Sequence, residues 1–312
     1  MAAEATPQIS VVVPCYNAAR IVGVQLEALA RQVDAPEFEV VLVDNRSTDD
    51  LAAAASEFAG RLDVRVVRAD DLANPGYARN VGVAHSRADK LAFCDADDHV
   101  GRTWVRDAAA ALEVTEVVNG GAQPVAAADF DRGPEHLEAL LGDPPTTVHV
   151  RVPTSPEPYP ILLGGSCAMR REVYVGVGGY DVAVPYGVED NDLALRLQRA
   201  GYRLGRSSGM ALAYRTRPES EQPLSRSFRA GELHLLLAHR HGLFGRSPNL
   251  GRGWWLGLAR CGVAAGKMAL RPDDRDWRGL ARRAALQAGM LVGHVRFGVA
   301  GRLPEPRPGV GL

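Results

Sequence analysis

The run Phe93-Cys94-Asp95-Ala96-Asp97-Asp98 holds the residues whose types and spacing most directly suggest chemistry. The apolar stretch from Leu91 to Cys94 leads into three carboxylates, as a buried strand does when it ends in a polar cleft. Asp95 and Asp97 stand at alternate positions and can flank one cation, because carboxylate oxygens suit Mg²⁺ or Mn²⁺ far better than soft metals. Such an ion could clamp a diphosphate and take up the charge of a departing one. The same acidic triplet is also typical of a solvated turn or a helix cap.

The strands and helices that must position these carboxylates alternate along the first part of the chain. Short apolar runs predict four strands: Ile9–Val13, Val40–Val43, Val64–Val67 and Leu91–Cys94. Polar turns between them predict three helices: one capped by Asn17 that ends at Ala30, one that begins at Asp49 or Asp50, and one that follows Asn74-Pro75-Gly76 and ends near His85. This alternation is typical of a largely parallel sheet with helices on both faces.

Polar residues cluster where such a sheet binds its ligands, beyond the carboxyl ends of the strands. They are Pro14-Cys15-Tyr16-Asn17 after the first strand, Asp44-Asn45-Arg46-Ser47 after the second, and Asp95 to Asp98 after the fourth. Three strand ends that converge on one edge predict a single site. No GxGxxG motif follows the first strand, which disfavours an ordinary dinucleotide-binding fold.

The remainder of this region is less regular in sequence. We predict irregular surface from about Thr103 to Pro160, because that stretch contains Pro144-Pro145 and a proline-rich loop over Pro153–Pro160. Three later elements are expected: a short strand after Gly164-Gly165-Ser166, a helix opened by Glu189-Asp190-Asn191-Asp192 and ended by Gly201, and a last strand over Met210–Tyr214.

Six motifs, in order, resemble those of an inverting family-2 glycosyltransferase with the GT-A fold. They are Val13-Pro14-Cys15-Tyr16-Asn17, Val43-Asp44-Asn45-Arg46-Ser47-Thr48-Asp49, Gly76-Tyr77-Ala78-Arg79-Asn80-Val81-Gly82, Asp95-Ala96-Asp97, Gly164-Gly165-Ser166 and Glu189-Asp190-Asn191-Asp192-Leu193. The resemblance implies an α/β, Rossmann-like, mostly parallel sheet flanked by helices. It also implies transfer of a sugar from a nucleotide diphosphate sugar to an acceptor hydroxyl with inversion, assisted by Mn²⁺ or Mg²⁺.

The first two motifs supply candidate donor-binding residues. Asp44 at a strand end could accept a hydrogen bond from a pyrimidine N3–H, as the first acidic residue of the family does. Tyr16 offers a flat face and a hydroxyl to a base or ribose. Pro14, Asn17 and Ser47 of the same loops are assigned to the donor site with them. A helix-capping Asp44 and a half-buried packing Tyr16 are the alternatives.

The donor's phosphates need cationic or metal partners. Arg79 lies in the first turns of a helix, where a cation gains nothing from the helix dipole, so contact with phosphates or base would explain it. A surface salt bridge is the alternative. By family analogy, Asp95 meets the ribose or the metal, and Asp97 meets the metal. Many relatives carry a histidine after the last strand. This chain has none there, so Arg215 or Arg217 is expected to hold the diphosphate instead.

Inversion in one displacement needs a base opposite the leaving group, to accept the proton of the acceptor hydroxyl. Asp190 is the candidate for this base, with Glu189 as its neighbour. A Glu-Asp pair at a helix start also caps the helix and complements its dipole, so a purely structural role stays open. Gly165 and Ser166 are assigned to the acceptor side of the site.

Composition divides the chain into two regions. It has 312 residues, of which 46% are hydrophobic and 23% charged, enough to bury one large core or two modest ones. Residues 223–312 carry 15 Lys and Arg against 5 Asp and Glu, a net charge of +10, which leaves −11 for the rest. We therefore predict a glycosyltransferase domain over 1–222, with a nucleotide-sugar half over about 1–98 and an acceptor half over about 99–222. A basic helical region over 223–312 follows it.

Cysteine usage and the N-terminus favour a cytoplasmic protein. The four cysteines are scattered, with neither a CxxC pair nor zinc spacing, which fits reduced thiols better than a disulfide framework. Residues 1–8 lack the basic and apolar regions of a secretory signal. No uninterrupted apolar run is long enough to predict a spanning helix.

The basic C-terminal region is predicted to be helical over Phe228–His241, Trp254–Leu270 and Trp277–Val299. Trp254-Trp255-Leu256, with Arg252, Arg260 and Lys267 nearby, is similar to an interfacial amphipathic segment. With the charge of +10, this predicts peripheral contact with an anionic membrane surface at the inner face of the membrane. Helices that pack on the catalytic domain with solvated arginines are the alternative. No stacking platform or nucleic-acid-binding motif is recognised, so we expect no nucleic-acid partner.

Two rival functions are weighed against sugar transfer. A non-catalytic sugar-nucleotide binding module would not need Asp95, Asp97 and Asp190 together. A nucleotidyltransferase usually carries a glycine-rich basic loop after the first strand, where this chain has Pro14-Cys15-Tyr16-Asn17. Asp44 would suit uracil, thymine or guanine equally, so only the class of donor is predicted. The acceptor is a glycan, a lipid-linked molecule or a small molecule.

Overall fold

The computed structural model of the protein describes residues 6–216, 223–247, 249–270 and 276–312. Its sheet begins with β1 (Ile9–Cys15), β2 (Phe38–Asp44), β3 (Asp63–Arg68) and β4 (Lys90–Cys94). These strands run parallel, with β1 between β2 and β4, and with β3 beside β2. The register sets Cys15 beside Asp44, so the loops that follow β1 and β2 leave the sheet at the same edge.

Further strands extend the sheet: β5 (His99–Val100), β6 (Val117–Ala126), β7 (Val150–Arg151), β8 (Ser166–Arg170) and β9 (Leu204–Thr216). The order is β3-β2-β1-β4-β8-β6-β9-β5, and β7 pairs with β9 beside this path. β8 runs antiparallel to β4 and β6, whereas β6 and β9 are parallel over most of their length. The predicted mostly parallel α/β sheet is confirmed, with antiparallel pairs in its second half.

Helices cover both faces of this sheet: α1 (Val22–Ala30), α2 (Leu51–Ser56), α3 (Pro75–His85), α4 (Trp104–Ala111), α5 (Pro134–Leu141), α6 (Arg171–Gly176) and α7 (Glu189–Arg199). Successive side chains of a strand point to opposite faces. Val11 and Val13 of β1 accordingly join a core with α1, α2 and α4. Val12 joins a second core with α3, α6 and α7.

Helix starts were predicted with mixed success. Asp50 caps α2 and Asn74 caps α3, each through its side chain, as expected. The prediction that Asn17 caps the first helix is wrong, because α1 begins at Val22 without a side-chain cap. Asn17 has a φ of 49° and its side-chain oxygen accepts from the Thr48 N–H, so it joins two loops instead.

The stretch from Thr103 to Pro160 contains more regular structure than its sequence suggested. Trp104 of α4 is fully buried, and β6 is an inner strand between β8 and β9. A 3₁₀ helix over Ala127–Arg132 and α5 follow. The prediction of irregular surface is wrong here, because Gly120, Gly121 and Pro124 interrupt the apolar run of β6.

The fold divides into two compact units. The first runs to Thr216 and also contains Pro306–Leu312, and the second ends at Glu305. The second unit consists of α8 (Leu224–His241), α9 (Gly257–Leu270) and α10 (Trp277–Gly293), with a 3₁₀ turn over Trp254–Leu256 and a π-helical turn over His294–Val299. The predicted C-terminal helices are confirmed. In the part of the chain that the structure describes, no helix is long and apolar enough to cross a membrane.

Candidate active site

The two loops that follow β1 and β2 are joined by hydrogen bonds at the carboxyl edge of the sheet. The Asn17 N–H donates to Ser47 Oγ at 3.0 Å, and Asn17 Oδ1 accepts from the Thr48 N–H at 2.8 Å. The Ala19 N–H donates to Asp49 Oδ2 at 2.8 Å. Asn17 and Ser47, both predicted to bind the donor, therefore brace each other and shape this edge of the site.

Asp44 is the last residue of β2 and Tyr16 is the first residue after β1, and the two side chains differ in exposure. Asp44 is 6% exposed, and its Oδ1 accepts from the Ser47 N–H at 2.8 Å. Its Oδ2 lies 3.5 Å from Arg68 Nη1. Tyr16 follows Pro14 and the end of β1 and is 68% exposed. An exposed ring near a buried carboxylate suits a planar ligand that stacks on the ring and donates a hydrogen bond deeper in the site.

Arg79 is buried beneath the site. It is 4% exposed, its Nη2 donates to Asp95 Oδ1 at 2.7 Å, and its Cζ lies 5.3 Å from the centre of the Tyr180 ring. Among the described residues its Nε and Nη1 have no hydrogen-bond partner. The pair with Asp95 is therefore not the surface salt bridge that sequence left open. A buried guanidinium with two nitrogens that make no hydrogen bond to the described residues is suited to an anionic ligand.

Asp98 is the buried member of the acidic run, and the motif alone did not distinguish it from its neighbours. It is 1% exposed, and its Oδ1 accepts from the Arg215 N–H at 2.9 Å. Burial, together with the charges of Asp95 and Asp97, raises the pKa of Asp98 to about 8. Within the described part of the chain, its Oδ2 has no hydrogen-bond partner.

Arg215 extends from the end of β9 over the acidic run. Its Nε donates to the Asp97 carbonyl oxygen at 2.8 Å, and its Cζ lies 3.9 Å from the centre of the Phe130 ring. A guanidinium fixed against an aromatic face loses little further conformational entropy when it binds an anion. Arg217, the other candidate for this role, lies outside the described residues.

The donor chemistry of the acidic run fits a hard divalent cation. Asp95, Asp97 and Asp98 offer carboxylate oxygens, and Asp98 Oδ2 has no protein partner among the described residues. No group of three or more His, Cys, Asp or Glu in the described ranges is arranged to hold a metal ion by itself. An Mg²⁺ or Mn²⁺ ion bound by one or two carboxylates and by phosphate oxygens needs no such cage.

Glu189 and Asp190 open α7 in different surroundings. Glu189 is 5% exposed and accepts a hydrogen bond from the Gly187 N–H. Asp190 is partly exposed, and its Oδ1 accepts from the Tyr180 hydroxyl at 2.8 Å. Burial raises the pKa of both carboxyls, and for Asp190 the charge of Arg79 and the Tyr180 hydrogen bond oppose that shift. A partly exposed carboxylate with a raised pKa has the properties of a general base.

Asp190 and Asp95 both lie against a short strip of backbone formed by the consecutive residues Gly164 and Gly165. β8 begins at Ser166, opposite the end of β4, which places Gly165 beside Asp95. A Cβ on Gly165 would lie 2.8 Å from Asp95 Oδ2, and one on Gly164 would lie 2.2 Å from Asp190 Oδ1. The Cα atoms of these two glycines are about 3.8 Å apart, as in any trans peptide. The two carboxylates therefore approach neighbouring points of the same backbone segment.

Ser166 turns its hydroxyl into the core. It is fully buried, its Oγ accepts from Trp104 Nε1 at 3.0 Å, and it donates to the Met210 carbonyl at 3.3 Å. A hydroxyl has one donor, so these contacts commit it to the packing of α4, β8 and β9. This geometry speaks against a direct contact between the Ser166 hydroxyl and an acceptor. Of the two residues assigned to the acceptor side, Gly165 is the one that borders the carboxylates.

Asn80 and Tyr180 support the site, although neither was assigned a role from sequence. Asn80 is fully buried, and its Nδ2 donates to the carbonyls of Tyr180 at 2.9 Å and Val310 at 2.8 Å. Its Oδ1 accepts from the Tyr174 hydroxyl at 2.6 Å. Gly179 has a φ of 57°, and a Cβ there would lie 2.5 Å from Asn80 Oδ1. The glycine pair before Tyr180 was the signal in the sequence that could have drawn attention to this segment.

The fold and the site define a class of α/β protein with an open, largely parallel sheet. Carboxylates and arginines lie beyond the strand ends, where such sheets bind their ligands. The profile of glycosyl transferase family 2 matches residues 10–177, and a profile described as the N-terminal domain of galactosyltransferase matches residues 146–219. The chain belongs to glycosyl transferase family 2. The resemblance identified from its motifs is confirmed.

Curated relatives match a limited segment. TarS, a poly(ribitol-phosphate) beta-N-acetylglucosaminyltransferase of Staphylococcus aureus, is 34% identical over 109 residues, which are 34% of this chain and 19% of TarS. Validoxylamine A glucosyltransferase of Streptomyces hygroscopicus subsp. limoneus is 39% identical over 110 residues, 34% of this chain and 24% of that protein. The matched segment therefore spans about a fifth to a quarter of the length of these relatives.

Solved structures confirm the GT-A fold. TarS 1-349 of S. aureus gives a TM-score of 0.54 at 21% identity, covering 94% of this chain and 73% of that one. The mannosyltransferase PcManGT from Pyrobaculum calidifontis, solved with GDP-Man and Mn²⁺, gives 0.63 at 20% identity, covering 94% and 87%. At these identities the likeness establishes the fold.

Proposed function

We propose that this protein transfers a sugar from a nucleotide diphosphate sugar to an acceptor hydroxyl with inversion, and that Asp190 is the general base. One observation carries the proposal: Asp190 and Asp95 approach the adjacent residues Gly164 and Gly165, so the candidate base and a donor-side carboxylate lie along one short backbone segment. This arrangement suits a direct displacement, because the base must accept the proton of the acceptor hydroxyl as the new bond forms.

The surroundings of Asp190 suit it to accept that proton. Its pKa is raised by burial, which increases its basicity, while Arg79 and the Tyr180 hydroxyl favour the ionised form. Glu189, the neighbouring candidate, is more buried and already accepts the Gly187 N–H. We therefore assign the proton transfer to Asp190, with Glu189 as a supporting neighbour.

The nucleotide of the donor is proposed to lie over the loops after β1 and β2, in the nucleotide-sugar half at about 1–98. Asp44 would accept a hydrogen bond from the base, and the exposed ring of Tyr16 would stack on the base or ribose. Pro14, Asn17 and Ser47 would shape the pocket, since Asn17 and Ser47 hold the two loops together.

The diphosphate is proposed to bind between the acidic run and two arginines. Nε and Nη1 of Arg79 have no hydrogen-bond partner among the described residues, and Arg215 is held in place by Phe130. Asp95 and Asp97 would hold Mn²⁺ or Mg²⁺. When bound, such an ion would neutralise charge on the departing diphosphate. The Mn²⁺ in the PcManGT structure belongs to that protein, and it supports a metal here through the shared fold.

The acceptor is proposed to enter through the acceptor half, at about 99–222, and to reach Asp190 beside Gly165. Relatives are named for N-acetylglucosamine and glucose transfer to dissimilar acceptors. TarS has also been solved with UDP-GlcNAc. These names make UDP sugars the first donors to test, and leave a glycan, a lipid-linked molecule and a small molecule as the classes of acceptor.

We further propose that the protein acts in the cytoplasm and touches an anionic membrane surface through the 3₁₀ turn over Trp254–Leu256 and α9. Trp255 is 58% exposed and Val263 is 60% exposed, and the cationic side chains of Arg260 and Lys267 are exposed beside them. Apolar side chains with flanking cations are characteristic of helices that lie in the interface of anionic membranes.

Two rival functions lead to different products. A sugar-nucleotide binding module would bind the donor without turnover. A nucleotidyltransferase would release pyrophosphate instead of a nucleoside diphosphate. The closeness of Asp190 to Asp95 favours sugar transfer, because neither rival function needs a base beside the donor-side carboxylate.

Asp190→Asn tests the proposal. The amide keeps the shape of the side chain but cannot accept a proton, so turnover should fall on the order of 10²–10⁴-fold. Affinity for UDP or GDP should change little, because the group acts in the transition state. The readout is nucleoside diphosphate released from UDP-GlcNAc, UDP-glucose or GDP-mannose in the presence of Mn²⁺, with water or an added sugar as acceptor.

Glu189→Gln is the matched control, and its turnover should fall far less. Near-normal turnover of Asp190→Asn together with a large loss in Glu189→Gln would move the base to Glu189. Normal turnover of both variants would leave the pair as a helix cap and contradict the proposed mechanism.

A further inference from the structure

Tyr180 contacts both sides of the candidate site. It is fully buried, its hydroxyl donates to Asp190 Oδ1 at 2.8 Å, and its ring lies 5.3 Å from Arg79 Cζ. Arg79 in turn donates to Asp95 Oδ1 at 2.7 Å. One side chain therefore links the candidate base, through its oxygen, to the donor-side ion pair, through its ring.

The backbone of Tyr180 is held by hydrogen bonds to Asn80 through both its N–H and its carbonyl. Its N–H donates to Asn80 Oδ1 at 2.9 Å, and its carbonyl accepts from Asn80 Nδ2 at 2.9 Å. Asn80 also bonds the Val310 carbonyl and the Tyr174 hydroxyl. The Tyr180 hydroxyl therefore has a fixed position, and it determines where the carboxylate of Asp190 lies.

A phenylalanine would fill the same space, so packing does not explain the hydroxyl. A buried tyrosine hydroxyl needs a hydrogen-bond partner, and here the partner is a carboxylate rather than a backbone carbonyl. The same carboxylate also lies against the backbone, since a Cβ on Gly164 would lie 2.2 Å from Oδ1 and 2.6 Å from Oδ2. Asp190 is thus held between a donor and a strip of backbone.

We propose that Tyr180 is a positioning residue for the general base. Its hydroxyl orients the carboxylate of Asp190 toward the acceptor. Its ring contacts Arg79 and so fixes the position of this carboxylate relative to Arg79 and the donor. The inference rests on the proposed role of Asp190. It identifies a residue that acts through Asp190 and does not itself touch the reacting atoms.

The hydrogen bond from the Tyr180 hydroxyl also affects the pKa of Asp190. Burial raises the pKa of Asp190, and the Tyr180 hydroxyl and Arg79 lower it, because both stabilise the ionised form. A backbone hydrogen bond with Gly164 lowers the pKa of Asp190 as well. The other titratable groups that face Asp190 oppose its ionisation or leave it unchanged. They are Asp95 at the end of β4, Glu189 on α7 and the Cys167 thiol of β8.

Tyr180→Phe removes the hydroxyl and keeps the ring over Arg79. We expect kcat for nucleoside diphosphate release from UDP-GlcNAc, UDP-glucose or GDP-mannose to fall about 10- to 100-fold, because a misplaced base loses rate steeply. Affinity for UDP or GDP should stay within about twofold, by calorimetry. The base acts only when ionised, so the acid limb of the kcat profile should move up by about one to two pH units once the hydrogen bond is lost.

Tyr174→Phe is the matched control. Tyr174 is also fully buried, and its hydroxyl donates to Asn80 Oδ1 rather than to Asp190. This variant should melt at a lower temperature but keep the wild-type acid limb, with kcat within about twofold. Equal losses of kcat in the two variants, with unchanged pH profiles, would make the Tyr180 hydroxyl merely structural and overturn the inference.

Asp190→Asn separates this inference from the function on which it rests. If Asp190→Asn is inactive while Tyr180→Phe keeps the kcat and pH profile of the wild type, the positioning role is refuted and the base assignment stands. If Asp190→Asn turns over normally, the base assignment fails and the inference fails with it. A low kcat in both variants, with a shifted acid limb only in Tyr180→Phe, supports the inference.

Discussion

Gly164→Ala should disable catalysis without unfolding the protein. An added Cβ would lie 2.2 Å from Asp190 Oδ1, whereas ordinary van der Waals contact begins at 3.4 Å. The carboxylate would therefore have to move by about 1.2 Å, the difference between these two distances. A displacement of about 1 Å at a catalytic group costs on the order of 10²-fold in rate, so we expect kcat to fall about 100-fold.

The assay is again nucleoside diphosphate release, together with calorimetry of UDP or GDP binding in the presence of Mn²⁺. Affinity should be preserved, because Tyr16 follows β1 and Asp44 ends β2, and neither takes part in the contact between Gly164 and Asp190. Gly60→Ala is the control, since Gly60 is exposed and a Cβ there would meet no atom within 4 Å. A Gly164→Ala protein with the melting temperature and kcat of the wild type would refute the assignment of Asp190.

Two further predictions concern the metal and the second unit. Asp97→Ala should abolish Mn²⁺-dependent binding of UDP or GDP, because a metal site with few protein ligands depends on each one. The melting temperature should stay near that of the wild type. Unchanged affinity in calorimetry would remove Asp97 from the site. The protein should bind anionic vesicles in a salt-sensitive manner, and charge reversal at Arg260 and Lys267 should weaken that binding. Sedimentation with neutral and anionic vesicles measures it, and equal binding to both, or binding to neither, would contradict the membrane proposal.

Features that depend on a few neighbouring residues were predictable from sequence. The strands from β1 to β4 follow from apolar runs, and the starts of α2 and α3 follow from Asp50 and Asn74, whose side chains cap them. Motif order was enough to predict the family and the fold. It also drew attention to Asp95 and Asp190, which the structure places against the adjacent residues Gly165 and Gly164.

Features that depend on distant contacts were not predictable in this way. Asn17 looked like a helix cap, yet its amide bonds Thr48, 31 positions along the chain. For Arg79 the sequence left a surface salt bridge open beside the predicted donor contact, but the position of α3 against the sheet buries Arg79 beside Asp95. The bond from Asn80 to Val310 joins residues 230 apart, a contact that no local pattern encodes.

The central claim is most directly tested by NMR of the first product that the wild-type protein forms. UDP-GlcNAc, UDP-glucose and GDP-mannose are incubated in turn with the protein and Mn²⁺, and the ³¹P and anomeric ¹H signals are followed from the start of the reaction. Sugar transfer with inversion predicts that a nucleoside diphosphate and a sugar of the opposite anomeric configuration appear together. Pyrophosphate, a product that keeps the donor's configuration, or a bound donor that is never consumed would contradict it.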